Sequence, residues 1–127
     1  MVELISDTIR SYLTNLGYSN ISIYELQDTG PGSPASQIVI IPSGGYQPDG
    51  HFGSSPHDRP RLTIMVFDDD LEDAETTAEE LRQLFVDNLN LSGCLRARTI
   101  TSHISYLGRD ETTSRFKFSF DVETYLI

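Results

Sequence analysis

Apolar positions along this chain follow two different periods. Ile5, Ile9, Tyr12, Leu13 and Leu16 fall at i, i+4, i+7, i+8 and i+11, which predicts a helix over 2–16, stopped by Gly17. A strand is expected over about 20–26, from Ile21, Ile23 and Leu26, and a second over 37–41, where a short β-branched run meets Pro42. Leu62, Ile64 and Val66 alternate within a third strand, 59–67. Leu71, Ala74, Ala78, Leu81, Leu84, Phe85 and Leu89 return to helical spacing and predict a second helix over about 71–90. Two strands, about 99–107 and 115–126, close the chain.

The last strand says most about the fold. Phe116, Phe118, Phe120 and Val122 alternate with Lys117, Ser119, Asp121 and Glu123, as in a sheet with one face on a core and the other polar. The order helix, three strands, helix, two strands therefore predicts an α+β fold of two layers. Its mostly antiparallel sheet of about five strands carries two helices packed on one face, and the opposite face is expected to stay uncovered. A length of 127 residues fits one domain spanning 1–127.

Between these elements lie two stretches without periodicity. Residues 27–36 read as a turn or exposed loop. Residues 43–58 hold four glycines, two prolines and three serines, and a loop of this length in a compact domain is usually functional or disordered. Tyr46, Phe52 and His57 within it, with Arg59 just beyond, are candidate contacts to a partner, because aromatic side chains in such a loop call for something to cover them.

Charge narrows the classes of function. The net charge is −10, which disfavours gripping nucleic acid through its phosphates, and no apolar run approaches the ~18 residues of a membrane span. Glu3 and Asp7 argue against a targeting signal at the start of the chain. Residues 68–80 contain eight acids and no base, whereas 94–117 carry Arg96, Arg98, Arg109, Arg115 and Lys117 against Asp110 and Glu111. Opposite blocks of this kind suit a head-to-tail contact between copies of one subunit, and equally suit two solvated faces.

Candidate chemistry is thin. Asp68-Asp69-Asp70 lacks the alternating ligands of a calcium loop, and Asp69 with Glu72 has the spacing of a helix capping box. His51 and His57, with Asp49 and Asp58, lie in a glycine-rich loop that would hold a catalytic or zinc site poorly. His103 falls in a predicted strand, and Cys94 beside Arg96 and Arg98 has no histidine specified nearby. Phosphate-binding glycine motifs and the nucleophile elbow are missing. The expectation is a protein that is not an enzyme, with no cofactor and no bound metal.

One stretch carries a family resemblance. Ser105-Tyr106-Leu107-Gly108-Arg109-Asp110-Glu111, followed by Arg115-Phe116-Lys117-Phe118-Ser119-Phe120-Asp121-Val122, looks like the C-terminal hairpin of phage minor capsid and tail terminator proteins. Arg59-Pro60 leading into Leu62-Thr63-Ile64-Met65-Val66, and a helix with Ala74 and Ala78, are also similar, and the order of elements matches across nearly the whole chain. The resemblance implies a structural virion protein forming a homohexameric ring at the head-proximal end of a tail tube. Such a ring stops tube polymerisation and joins the tail to the neck, at the head-tail junction of a virion assembled in the host cytoplasm. Implied partners are further copies of the chain, the tail tube protein and a neck stopper or connector, with DNA passing through the lumen without specific binding. Arg96, Arg98, Arg109, Asp110, Glu111 and Arg115 join the loop residues as candidate interface. A head-tail connector or stopper of the neck, and a small-molecule-binding or regulatory α+β domain outside any phage, are the alternatives.

Overall fold

The computed structural model describes residues 5–24, 36–46, 59–86, 89–92, 95–110 and 114–126. The chain runs α1 (Ile5–Asn15), β1 (Ile21–Ile23), β2 (Ser36–Tyr46), β3 (Arg59–Asp68), α2 (Leu71–Leu84), β4 (Leu89–Ser92), β5 (Leu95–Thr99), β6 (Ser105–Arg109) and β7 (Phe116–Leu126). The strands form one seven-stranded sheet in the order β1-β2-β3-β7-β5-β4, with β6 also paired to β7. Among the described residues β1 pairs with β2 in parallel and the other pairs are antiparallel. The fold is α+β, two layers, with both helices on one face.

β7 organises the sheet. β3 runs along one side of it from Phe116 to Glu123. On the other side β6 pairs with its first half and β5 with its second. From Thr99↔Val122 to Ser105↔Ser119 the chain takes six steps against three on β7, so β5 and β6 are two halves of one strand with three extra residues pushed out between them. Asp121 holds this break together: its C=O accepts from the Ile100 N–H at 3.0 Å, and its N–H donates to Thr101 Oγ1 at 3.4 Å.

Alternation along the strands builds the core. Ile38↔Val66↔Phe118 and Ile40↔Ile64↔Phe120 form rows across β2, β3 and β7, and Leu62↔Val122 begins the next. Against these rows pack Ile9 and Leu13 of α1, Ala74, Ala78 and Leu81 of α2, and Phe85 just beyond it, all fully buried. The alanines let α2 lie close over β3 and β7. α1 touches β1 and β2 and also β4, a strand at the far end of the sheet, so the sheet curls around it.

Several boundaries differ from the sequence expectation. β2 runs on through Pro42 to Tyr46: Pro42 keeps its register with Leu62, and its missing N–H falls on the β1 side, beyond the last pair of that ladder, Ile23↔Ile40, while a one-residue bulge follows before Gly45. α2 ends at Leu84 rather than near 90, and Leu89 belongs to β4, a strand the helical spacing concealed. The strand expected over 99–107 is instead β5 and β6 either side of the break. The far face of the sheet is not bare: Gln37, Val39 and Phe67, which share that face, are buried.

Candidate interaction surfaces

The hairpin of β6 and β7 is built from the backbone outward. Gly108 has φ +89° and sits where the register against β7 slips by one residue between Tyr106 and Gly108. An L side chain rarely adopts that conformation, so glycine supplies the bulge. Beyond it the tip closes tightly: the Asp110 N–H donates to the Arg115 C=O and the Ser114 N–H to the Asp110 C=O, both at 2.7 Å. Arg109 donates to the Ser114 C=O at 3.1–3.2 Å and lays its guanidinium 4.8 Å from the Phe116 ring centre. Tyr106 packs on Phe118, ring centres 5.1 Å apart, yet remains 54% exposed, and Leu107 beside it is 45% exposed. Among the described residues β6 has no strand on its outer side.

The acidic and basic blocks meet inside the subunit. Arg115, 5% exposed, reaches Asp69 at 3.4 Å, because Asp68 and Phe116 are register partners and bring the start of α2 to the start of β7. Asp70, not Asp69, caps α2: its Oδ1 accepts from the N–H groups of Glu72 at 2.8 Å and Asp73 at 3.3 Å. Asp68 in turn accepts from the Asp70 N–H at 3.0 Å. On the far face Arg98 donates to the buried Glu123 at 2.7 Å and lies over the Tyr125 ring. Asp121 there accepts from Thr63 at 2.8 Å and faces Arg61 at 3.6 Å.

A groove that composition did not point to runs between α2 and the turn after α1. Tyr18 forms one bank and the side of α2 that carries Glu72, Glu75, Glu79, Glu80 and Leu84 forms the other, around about 800 Å³ open to solvent. Burial, then the nearby Glu80 carboxylate, raises the Tyr18 hydroxyl above its ordinary value. Hydrogen bonds from Arg82 (2.7 and 3.1 Å) and Gln83 (2.9 Å) pull the Glu79 carboxyl down to about 2. The signal for this groove lay in the helical spacing of Glu72, Glu75, Glu79 and Glu80, which an undivided acidic block hides.

Of the candidate contacts, Arg109, Asp110 and Arg115 gather at the hairpin tip, while Arg96 and Arg98 lie on β5 at the far face. Tyr46 and Arg59 are register partners where β2 meets β3. Phe52, His57 and Glu111 lie outside the described residues, as do His51, Asp49, Asp58 and Cys94. His103 is in the bend between β5 and β6, not in a strand, where its Nδ1 is 2.9 Å from Ser102 Oγ. Among the described residues no group of three or more His, Cys, Asp or Glu is placed to hold a metal, and no helix is long and apolar enough to cross a membrane.

No family model matches the chain, and no curated protein matches it. A solved structure designated by a sequence number rather than a functional name is similar at TM-score 0.54 and 21% identity, over 98% of this chain and 97% of that one. This likeness extends to the whole fold and to the fold alone.

Proposed function

We propose that this chain is a structural, non-enzymatic subunit of a ring that ends the tail tube of a tailed phage and joins it to the neck. The observation that carries the reading is the β6–β7 hairpin. The segment most similar to tail terminators, 105–122, folds as an antiparallel pair at a sheet margin, with Tyr106 and Leu107 exposed beside a strand edge that has no described partner. Exposed apolar side chains at an open edge suit pairing with a neighbouring subunit. A subunit of charge −10 also suits a passage for DNA, because like charges keep phosphates from sticking. Heterologous contacts between copies close into a ring when the rotation permits.

Deletion of the gene from a phage genome that carries it tests the proposal. Tails of uncontrolled length, or tubes that never join filled heads, are the expected result. Tails of fixed length with leaking heads would instead favour a stopper of the neck, and unchanged virions would remove the phage role altogether.

A further inference from the structure

The groove beside α2 sets an apolar strip under a row of glutamates. Tyr18 and Leu84 are the apolar side chains that line it, and an adjoining hollow extends it past Gly17 to Leu16, which is half exposed. Its rim is a row of glutamates. Glu72 and Glu75 are three residues apart, and Glu75 and Glu79 four, spacings at which like charges repel along a helix. Arg82 and Gln83 engage Glu79, but among the described residues no ion pair involves Glu72, Glu75 or Glu80. The helix thus holds a repulsion that its own side chains relieve at one position only.

We infer that this groove docks a cationic amphipathic segment of another protein, with an apolar side chain seated between Tyr18 and Leu84 and flanking lysines or arginines on the glutamates. Charge complementarity selects the occupant. A second copy of this chain is a poor one, because Arg61, Arg98 and Arg115 are committed to Asp121, Glu123 and Asp69 of their own subunit. Arg109 is likewise folded onto Phe116 and Ser114, so among the described side chains Arg96 and Lys117 are the cations a second copy has left to offer. The inference stands independently of any role in a phage tail.

The test uses a fluorescently labelled synthetic helix of leucine and lysine as probe. Two companion peptides accompany it, one with serine in place of leucine and one with glutamate in place of lysine. Anisotropy gives affinity, and amide shifts of the labelled protein give the location. The leucine–lysine peptide is expected to bind with shifts centred on Tyr18 and the 72–84 helix, and both companions to bind far more weakly. A variant combining Glu72→Gln, Glu75→Gln and Glu80→Gln should lose roughly tenfold in affinity, the scale of three exposed ion pairs. Its thermal midpoint should be unchanged or raised, since the repulsion is gone; if it melts early, the amide shifts of the unaltered protein decide the matter alone. Equal binding of the serine peptide, shifts centred elsewhere, or no binding would overturn the inference. So would concentration-dependent shifts of the same amides in the protein without peptide, which would make a second copy the occupant.

Discussion

At Gly108 a single hydrogen atom decides the local backbone. With φ +89° and nothing within 4 Å of a Cβ built there, the obstacle to a side chain is conformational and not steric crowding. Gly108→Ala should therefore cost about 1–2 kcal/mol in urea unfolding, and Gly108→Asn less, since asparagine enters the left-handed region more easily. Equal costs would mean that something other than φ governs the site. Asp70 acts through two hydrogen bonds to the first turn of α2, so Asp70→Ala should cost ~0.5–2 kcal/mol, whereas Asp69→Ala removes no cap. Glu79 is a third local case. Its carboxyl is held at about 2 against an ordinary 4.5, so its contribution is complete above 4.5 and is lost as the pH falls toward 2. The side chain is 42% exposed, and solvent screening keeps the effect below about 1 kcal/mol. A carboxyl titration followed by NMR should place Glu79 well below the ordinary carboxylate range, and Arg82→Ala should return it toward its ordinary value.

Among the elements, β7 reads most clearly from sequence and β4 least. Alternation of Phe116, Phe118, Phe120 and Val122 places β7 on a core face, and the residues that fill that face in β3 follow the same rule. α2 was visible in its alanine and leucine stripe, but its end was not. Leu89 continues the helical spacing from Phe85, and nothing in a hydrophobic pattern distinguishes a helix's last turn from the strand after a short turn. The division of β5 from β6 was hidden for a different reason: it depends on a register slip against β7, a long-range property. So was the pairing of charge blocks, since Arg115 reaches Asp69 only because β3 and β7 are neighbours. The β5–β7 ladder offers a direct test of such pairing. Glu123 is almost fully buried, and Arg98→Ala would strip its carboxylate of a charged hydrogen bond at a cost of ~1–3 kcal/mol. Adding Glu123→Gln should recover part of that loss in the same urea titration. A double variant less stable than the single would show that Arg61, its register partner, holds Glu123 by itself.

For the whole molecule, the location of charge changes how assembly has to be probed. Reversing Arg115 would place a carboxylate beside Asp69 at a buried site, and reversing Arg98 would set one against Glu123, so either variant tests folding before it tests a ring. Tyr106 and Leu107 are better reporters. Both are half exposed, so replacement by serine removes little of the subunit's own packing apart from the Tyr106–Phe118 ring contact. In a ring of the proposed kind the same contact recurs at every interface, which multiplies a modest loss at each one. Light scattering on the unaltered protein, alone or on isolated tail tubes, should report six chain masses. The Tyr106→Ser, Leu107→Ser variant should fall to the mass of one chain while keeping its helical and sheet circular dichroism. Arg109→Glu should weaken the ring to a lesser degree, because its guanidinium is already engaged by Phe116 and Ser114 and is exposed to screening. An intact ring after the double serine replacement would move the contact away from the β6 edge. The far face, with Arg96 and Lys117, would then be the next surface to reverse.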